Sequence, residues 1–476
     1  PMGSYDPQVD ITGHKDIGGK TVLYIVNGLY GGDRYDATPT KWQSAPFNND
    51  WPSSIFVSQD GVAIDSVGMD FLRAEWPLRD KADNYLHEAA LADNPPSGTV
   101  YDPEGDGTRL ASLGVHEHWN NPVDRQYSRN LGTGDGIELV QVSFATADGP
   151  IENATTGLKY DQLRYAIGEA RSGDTIVLGE GAYPGEIDIA GKNLTISSTD
   201  PDDPAVVAAT VIEGGDRAVS FSGGQDATCV LTGLTITGAD RGIYCSGSSP
   251  TIANCRIEGN AGAGIELHEG SNPTITSCEI SANAGSGLEM LVLRSGRVVL
   301  YNEPVISNCV ITANGQSGIS GGMPTIVNCT IVTNEGFGVS CIESTIADSI
   351  VYYNGYDTGL AQIDGTATVT YSDIEGGWPG EGNIDAVPRF AELGYWGLGT
   401  SLEDASDDIW FRGDYHLRSQ AGRWEPAGKS WVQDVITSPC IDAGNPAADC
   451  SAEPMPNGGC INMGAQGGTP QASKSR

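Results

Sequence analysis

Between residues 229 and 365 the hydrophobic and polar positions recur with a period of about 20 residues or slightly more. Each unit carries short stretches with apolar residues at i and i+2, such as Cys329 and Ile331, separated by Asn and Gly. Alternation with a period of two indicates strands rather than helices. One such unit cannot bury its apolar face alone, so successive units must stack. The pattern predicts a parallel β-helix, in which each unit is one coil.

Two columns define the repeat. The first is asparagine, with spacings of 23, 31, 20 and 20 residues, and the second is mainly cysteine. Stacked Asn amides can hydrogen-bond along a column, and Leu234 in the cysteine column indicates that this position faces inward. We therefore interpret the cysteines as buried small apolar side chains rather than metal ligands or nucleophiles. The columns are Asn260, Asn283, Asn314, Asn334 and Asn354, and Cys255, Cys278, Cys309 and Cys329, continued by Ser349.

A glycine column follows the asparagines, and an apolar residue follows each glycine. We expect Asn and Gly to recur because a tight turn there needs residues that tolerate the left-handed conformation. The pairs are Gly264-Ile265, Gly287-Leu288, Gly318-Ile319, Gly338-Val339 and Gly359-Leu360. Cys245 and Cys341 are interpreted as a second inward position.

Upstream of the coils, apolar residues at i, i+3, i+4 and i+7 predict an amphipathic helix in TGLKYDQLRYAIGEARSGD that ends at Gly173. Its apolar face is suited to cover the first coil. The expected fold is mainly β, and the expected parts are an α/β domain (1–145), a capping helix (146–175), a right-handed parallel β-helix (176–377) and a C-terminal cap with a loop-rich tail (378–476).

The helix followed by GDTIVLGEGAY, and coils of the form NC-I-x-x-N-x-G, resemble secreted bacterial right-handed parallel β-helix proteins, a family that includes pectate-lyase-like proteins. The resemblance covers about residues 155–377. The tail motifs GDYHL, SPCIDAG and EPMPNGGCINMGAQGGT resemble the C-terminal segment of many of those proteins. The resemblance implies export and a capped solenoid end.

The first 145 residues lack this period. KTVLYIVNGLYGG predicts a buried strand, SSIFVSQDGVAIDSVGMDFLRAEW a turn leading into a helix, and NYLHEAALAD a short helix. The motifs FNNDWPSS, QDGVAIDSVG and GVHEHWNNP resemble part of an uncharacterised bacterial domain family that occurs beside iron–sulfur modules. No cysteine precedes Cys229, so the sequence does not support an iron–sulfur cluster in this part.

Charge and composition restrict the partners. The 476 residues carry 26 Lys and Arg against 62 Asp and Glu, a formal net charge of −36. Nucleic acids and anionic membranes require surplus cations, so neither is an expected partner. No apolar run reaches the roughly 18 residues of a membrane span. We expect an extracellular or cell-surface protein whose export signal lies outside this chain.

Two clusters in the first part suggest metal chemistry. Asp102, Glu104 and Asp106 alternate like the start of a calcium loop, although Leu113 stands where an EF-hand needs Glu. The alternatives are a calcium site and a solvated acidic turn. His116 and His118 alternate on an expected strand, which would place both imidazoles on one side. A metal site would need a third ligand that the sequence does not indicate, and the alternative is a pair of structural histidines.

Catalysis has little support on the coils. A polysaccharide lyase needs Lys, Arg or Ca²⁺ against the substrate carboxylate, but no Lys or Arg lies between Arg297 and Arg389. A hydrolase needs two facing carboxylates. The remaining candidates for a calcium-assisted lyase are Glu335, Glu343, Asp348, Asp357 and Asp364. The catalytic residues stay unassigned.

The 31-residue coil contains EMLVLRSGRVVLYNE, which predicts an apolar hairpin projecting from the stack. This hairpin either packs on its own solenoid or docks another copy of the chain. The interface residues expected there are Leu291, Leu293, Arg294, Arg297, Val299 and Tyr301. Cys450 and Cys460 flank a Pro/Gly/Asn loop and are the candidate disulfide of an oxidising compartment.

The sequence favours a non-catalytic extracellular scaffold that self-associates or binds other extracellular proteins. The alternatives are a polysaccharide lyase or hydrolase, and a calcium-dependent glycan-binding module that uses Tyr352, Tyr353 and Tyr356. No cofactor is firmly expected, and calcium is the one candidate ion.

Overall fold

The computed structural model describes residues 3–28, 38–44, 47, 54–76, 82–122, 124–140, 144–189, 191–295, 298–355, 359–397 and 409–475, although the side chains of residues 82, 294, 295 and 298 are not described. Contacts divide the chain into two compact units, residues 1–143 and 144–476. Each unit is described by itself below. No helix in these ranges is long and apolar enough to cross a membrane.

The first unit is a small α/β structure. Its elements are α1 (Pro7–Gly13), a 3₁₀ turn (Gly18–Lys20), β1 (Tyr24–Gly28), β2 (Ser54–Ser58), α2 (Gly61–Glu75) and α3 (Ala82–Ala90). The strands β1 and β2 pair antiparallel, so SSIFV is a strand and not only a turn before the helix. Asp60 caps α2 by accepting a hydrogen bond from the backbone N–H of Ala63 at 2.9 Å.

The second unit opens with a hairpin and a short helix. Its strands β3 (Ile151–Asn153) and β4 (Leu158–Tyr160) pair antiparallel before α4 (Leu163–Glu169). The long helix predicted up to Gly173 is therefore wrong in extent, because its first part forms the β4 ladder instead. Leu163, Ala166 and Ile167 are buried in the solenoid core as the helical spacing predicted.

A parallel β-solenoid of about eight turns follows, which confirms the predicted mainly β class. Its elements are β5 (Thr175–Leu178), β6 (Gly181–Pro184), β7 (Ile187–Asp188), β8 (Thr195–Ser198), α5 (Pro204–Ala209), β9 (Thr210–Glu213), β10 (Arg217–Phe221), β11 (Val230–Thr232), β12 (Thr235–Thr237), β13 (Arg241–Ser246), β14 (Thr251–Ala253), β15 (Arg256–Glu258), β16 (Ile265–His268), β17 (Thr274–Thr276), β18 (Glu279–Ser281), β19 (Leu288–Met290), β20 (Leu293–Ser295), β21 (Val298–Leu300), β22 (Val305–Ser307), β23 (Val310–Thr312), β24 (Ile319–Gly321), β25 (Thr325–Val327), β26 (Thr330–Val332), β27 (Val339–Ala347), β28 (Ile350–Tyr352), β29 (Ile363–Thr370) and β30 (Asp373–Ile374).

Columns of isoleucine fill the interior. In the sheet that runs from β6 to β30, nine parallel strands stack in register, with Ile257 beside Ile280 and Ile280 beside Ile311. These three side chains are fully buried. Because the central residue of each three-residue strand points inward, the flanking residues line the outer face. Not all of this outer face is open to solvent, because flanking residues such as Ser281 and Thr312 are fully buried.

The asparagine column forms a continuous hydrogen-bonded ladder. Each amide Nδ2 donates to the side-chain oxygen of the next Asn at 2.8–2.9 Å, from Asn260 to Asn354. The ladder ends on Gln362, whose Oε1 accepts from Asn354 Nδ2 at 2.8 Å. All these side chains are buried, so every coil depends on its neighbours for satisfied polar groups.

The turn chemistry differs from the expectation. The left-handed residue is the one before each ladder asparagine, for example Ala282, Ala313 and Thr333, and not the asparagine itself. Of the predicted glycine column only Gly359 is left-handed, with φ +66°, and the other four glycines are not. A Cβ on Gly287 would lie 2.7 Å from the carbonyl oxygen of Gly318, so the coils need glycine there for close backbone approach.

The last member of the glycine column was misassigned. Ile363 pairs with Val339, so Gln362 and Ile363 occupy the positions predicted for Gly359 and Leu360. The cysteine column is buried, as the sequence predicted. Cys278 Sγ donates to the Ile252 carbonyl at 3.6 Å, and Cys329 N–H donates to Ser349 Oγ at 3.0 Å.

The C-terminal segment folds back over one outer face of the coils. It contains three antiparallel pairs, β31 (Phe390–Glu392) with β34 (Asp414–Leu417), β32 (Tyr395–Gly397) with β33 (Ile409–Phe411), and β35 (Arg423–Glu425) with β36 (Ser430–Val432). Asn308 Nδ2 donates to the Gly467 carbonyl at 2.8 Å, and the Tyr415 hydroxyl lies 2.9 Å from Thr312 Oγ1. The segment is thus fastened to specific coils.

Candidate functional site

A cleft of about 800 Å³ lies between the outer face of the coils and the C-terminal segment. Strands β15 and β18 form one wall, and the residues from β33 to β34 form the other. Its charged and polar lining includes Arg256, Glu279, Arg412, Asp414, Tyr415 and His416. This cleft is called the C-terminal cleft below, and its converging charged groups make it a first candidate for chemistry.

Arg412 is the central cation of the C-terminal cleft. It forms an ion pair with Glu258, and its Nη1 lies 3.4 Å from Glu279 Oε2. Burial lowers the pKa of the Arg412 guanidinium to about 10, with Arg256 as a second cause, so the side chain stays charged at neutral pH. Burial also raises the pKa of Glu279. The two carboxylates come from adjacent coils, and Arg412 bridges them.

A second charged group lies deeper in the C-terminal segment. His416 Nδ1 donates to Asp414 Oδ1 at 2.6 Å, and Arg423 Nη1 donates to Asp414 Oδ2 at 2.8 Å. Arg423 also pairs with Asp434 at 3.2 Å. The histidine is 5% exposed. These contacts hold β34 against β35, and the carboxylate has no oxygen left for a substrate.

The other described arginines on the coil faces are also paired. A lyase needs a cationic side chain that is free to meet a substrate carboxylate and a base that can take a proton. Each of these guanidinium groups instead faces a carboxylate of the chain: Arg217 with Asp216, Arg241 with Asp216 and Glu266, and Arg256 with Glu279. These three arginines of the described coil faces therefore neutralise acids of the chain itself.

A shallow groove on another outer face brings two carboxylates into one column. Glu266 and Glu289 are register partners on β16 and β19. Burial, followed by the charge of Glu266, raises the pKa of Glu289. Glu266 is engaged by Arg241 Nε at 2.9 Å and by His268 Nε2 at 2.6 Å. A hydrolase needs such a carboxylate pair, but here Glu266 is already held by two partners.

The carboxylates predicted for a calcium-assisted lyase have different environments and do not form one site among the described residues. Asp348 is buried, and its Oδ1 accepts a hydrogen bond from the Asn445 backbone at 2.5 Å. Asp364 accepts from Ser340 Oγ at 3.0 Å, whereas Glu335 and Glu343 are exposed. Asp357 lies outside the described residues. None of the four described carboxylates belongs to a described group of three mutually close metal-ligand atoms.

The aromatic surface is not where the sequence suggested. Tyr352 is 7% exposed and Tyr353 packs against the same cluster under the C-terminal segment, and Tyr356 lies outside the described residues. Exposed aromatic side chains occur instead on β32 and β33, in a pair called the aromatic hairpin below. Its members are Tyr395 and Phe411, which stack at 5.0 Å, and Trp396 and Trp410, which lie 5.4 Å apart.

The predicted apolar hairpin is present as β20 and β21 and is called the arm below. Leu293 pairs with Leu300 across an isolated two-stranded ladder. The exposed fractions of Leu291, Leu293, Val299 and Leu300 lie between 38% and 42%. Tyr301 is half-buried. Arg297 and the side chain of Arg294 lie outside the described residues.

All ten cysteines are thiols in this structure. Cys450 and Cys460 are free cysteines, and Cys460 Sγ donates to the Gly444 carbonyl at 3.1 Å; a bridge between them in an oxidising compartment stays a prediction. The remaining eight thiols are buried. Burial raises the pKa of Cys229 to about 11 and that of Cys341 to about 12, which suppresses the reactive thiolate.

In the first unit, the carboxylates of the acidic turn accept hydrogen bonds from the backbone or pair with a lysine. Asp102 Oδ2 accepts from the Gly107 backbone at 2.8 Å, and Asp106 Oδ1 accepts from the Thr108 backbone at 2.8 Å. Glu104 pairs with Lys15 at 2.6 Å. The three do not form a group of mutually close ligand atoms among the described residues, and calcium binding at this turn stays a prediction.

His116 and His118 lie on a loop, not on the expected strand. Their rings are nevertheless 4.9 Å apart. Burial, and then the neighbouring His87 and His118, lower the pKa of His116 to about 4. Other residues that surround the two histidines lie on two helices earlier in the chain, so the local sequence pattern did not indicate them.

Comparison with known proteins agrees with this fold. A family model described as "Right handed beta helix region" matches residues 192–320 and 218–374, and one described as "Disaggregatase related" matches residues 408–444. A crystal structure of pectate lyase Pel9A is similar at 14% identity and a TM-score of 0.37, over 66% of this chain and 92% of that chain. No curated protein matches the sequence.

The family-model match over the coils and the stacked parallel strands together define the fold class. The chain contains a right-handed parallel β-helix.

Proposed function

We propose that the chain is a non-catalytic β-helix scaffold, located at the cell surface or outside the cell, that associates with further copies of itself through the arm. The observation that carries this proposal is the arm: four apolar side chains, each more than a third exposed, on or beside a two-stranded ladder that pairs with no other described strand. Exposed apolar surface of this kind marks association sites.

The geometry of the arm suits an intermolecular contact. Leu293 and Leu300 are directly opposite each other in the ladder, so they project from the same face. A net charge of −36 makes copies of the chain repel one another, so an association surface has to be locally apolar. A contact between the arm and a different surface of the next copy would be heterologous, and such contacts extend into filaments when they do not close.

The paired charges support a role without catalysis. Arg412 bridges two glutamates in the C-terminal cleft, and each described arginine of the coil faces has a carboxylate partner. A substrate carboxylate would have to displace an internal ion pair, which costs several kcal/mol when the pair is buried. The cleft therefore supports fastening of the C-terminal segment better than turnover.

Light scattering of the full chain after size exclusion tests the association. The double variant Leu293→Glu, Leu300→Glu places charge on the arm, and Val435→Glu is the matched control, because Val435 is 84% exposed elsewhere on the same unit. We expect a mass above that of one chain for the wild type and the control, and the monomer mass for the arm variant. A monomeric wild type at high concentration would refute the proposal.

Glycan binding is a second candidate function, favoured by the aromatic hairpin. Tyr395, Trp396 and Phe411 are 55%, 44% and 47% exposed, and rigid amphipathic aromatic side chains are typical of binding surfaces. Electrophoresis in gels containing a polysaccharide tests it. We expect Trp396→Ala and Phe411→Ala to abolish retardation, whereas Tyr5→Ala, an exposed aromatic in the first unit, should not. Equal mobility with and without polysaccharide for the wild type would eliminate this candidate.

A further inference from the structure

A cluster of potential metal ligands lies in the first unit, away from the solenoid. Asp83 is on α3, and His116 and His118 are on the loop after it. One ligand atom from each of the three residues lies within 4.8 Å of the other two. His87, one turn after Asp83 on the same helix, packs edge-on against the His116 ring at 4.5 Å. The three residues are called the histidine cluster below.

Hydrogen bonds orient His116 so that one nitrogen is available. Ser66 Oγ donates to the Val62 carbonyl at 2.8 Å, so its interaction with His116 Nδ1 at 2.8 Å is accepted from the ring N–H. The proton is therefore on Nδ1 and the lone pair on Nε2. Among the described residues, that buried Nε2 has no hydrogen-bond partner, which is costly for a polar atom without a compensating ligand.

His118 is oriented in the same sense by a carboxylate. Its Nδ1 donates to Asp70 Oδ1 at 2.7 Å. Asp70 is itself fixed by the Trp119 backbone N–H at 3.0 Å and by the Tyr127 hydroxyl at 2.9 Å. A carboxylate that receives the Nδ1–H of a histidine, and so leaves the lone pair on Nε2, is the outer-sphere arrangement that supports metal-ligating histidines.

We propose that Asp83, His116 and His118 form a binding site for a divalent transition-metal ion of the zinc class. Two imidazole nitrogens and one carboxylate oxygen are a ligand set that Zn²⁺ accepts, and water can complete four-coordination. The site is independent of the arm and of the scaffold function proposed above.

Arg73 supplies the competing cation. Its guanidinium forms an ion pair with Asp83, and its Nη1 lies 3.5 Å from His118 Nε2. A metal ion on the histidine cluster takes over the role of that positive charge, so the guanidinium has to withdraw. Removal of Arg73 therefore strengthens metal binding if the cluster is a site, and it only exposes unpaired groups if the cluster is structural.

Calorimetric titration of the full chain with Zn²⁺ tests the proposal, with Co²⁺ absorption as a readout of tetrahedral nitrogen and oxygen ligation. We expect one equivalent bound, affinity lost by about a hundredfold or more in His118→Ala, and affinity lowered about 10–100-fold in Asp70→Asn. Arg73→Ala should bind more tightly than the wild type. His14→Ala and Cys460→Ser serve as controls for other surface ligands and should bind like the wild type.

Two outcomes would overturn the proposal. One is a wild-type chain that binds no Zn²⁺, with Arg73→Ala equally inert. The other is binding that survives in His118→Ala and is lost in Cys460→Ser. Circular dichroism of each variant separates a lost ligand from a lost fold, and Arg73→Ala tests the site with all three ligands retained.

Discussion

The asparagine ladder makes a sharp prediction about one buried amide. Asn314 takes part in four side-chain hydrogen bonds inside the stack. Its Nδ2 donates to Asn334 Oδ1 at 2.8 Å and to the Ile280 carbonyl at 3.1 Å. Its Oδ1 accepts from the Nδ2 of Asn283 at 2.9 Å and from the backbone N–H of the same residue at 3.2 Å. Asn314→Ala removes all four, and Asn314→Asp removes only the two donated bonds.

Counting bonds alone would rank the aspartate variant as the milder one, but electrostatics reverses the order. At about 1 kcal/mol per hydrogen bond, with an added cost for groups left unsatisfied, the alanine variant should lose about 4 kcal/mol of unfolding free energy. The aspartate variant places a buried carboxylate oxygen against two acceptor oxygens. The ionised carboxylate is therefore disfavoured by burial and by the two facing oxygens. We expect the aspartate variant to be less stable than the alanine variant at pH 7.

The pH dependence checks the cause. Burial and the two acceptor oxygens that face the carboxyl introduced by Asn314→Asp raise its folded-state pKa above its unfolded value, so the folded state binds more protons between the two values. The cost is therefore present at high pH and fades as the pH falls through the folded-state pKa. A protonated carboxyl can also donate to Asn334 Oδ1, which restores one bond.

Urea unfolding at a series of pH values from 8 to 5, followed by circular dichroism, measures the difference between the two variants. Asn272→Asp is the matched control, because Asn272 is exposed on the same stack and its side-chain oxygen only accepts a hydrogen bond. An aspartate variant that is as stable as the alanine variant at pH 7, or a difference that does not shrink on acidification, would refute a buried ladder.

Three further predictions follow from packing, thiol burial and charge. In thermal or urea unfolding, Gly318→Ala should destabilise the chain by about 2–3 kcal/mol, since a Cβ would lie 2.7 Å from the carbonyl oxygen of the next glycine in its column. In the same assay Gly68→Ala, on the open side of a helix, should stabilise the chain by up to about 1 kcal/mol. Alkylation of the native chain followed by mass spectrometry should modify only Cys450 and Cys460, and rapid labelling of the other eight thiols would contradict their burial. Glu289→Gln should raise stability at pH 8 by less than about 1 kcal/mol, because the raised pKa of Glu289 makes its ionised form a cost that disappears as the pH falls; a benefit that grows towards acid pH would count against it.

The columns could be predicted from sequence because each is a local property repeated at nearly constant spacing. Asn283, Asn314 and Asn334 occupy equivalent places in successive coils, so one hydrogen-bonding rule applies to all of them. The last coil departs from this repeated asparagine pattern. Gln362 follows Asn354 after only 8 residues instead of the 20 of the two preceding coils, and its longer side chain supplies the amide that a next asparagine would have supplied.

The charged contacts of the C-terminal cleft could not be predicted in that way. Arg412 lies 154 residues after Glu258 in the chain, and no periodicity connects the two. The same holds for the histidine cluster, where Ser66 and Asp70, one turn apart on α2, orient imidazoles about 50 residues later. Pairings of this kind depend on how segments fold back, which local patterns do not encode.

The central proposal is that the β-helix acts as a scaffold without catalysis, and its main support is that the described arginines of the coil faces are held in internal ion pairs. Ultraviolet absorbance of unsaturated uronates, recorded with a panel of uronate polysaccharides in the presence and absence of Ca²⁺, tests that claim most directly. The account predicts no increase in absorbance for the wild type or for Arg412→Ala. A steady increase with the wild type that disappears in Arg412→Ala would contradict it.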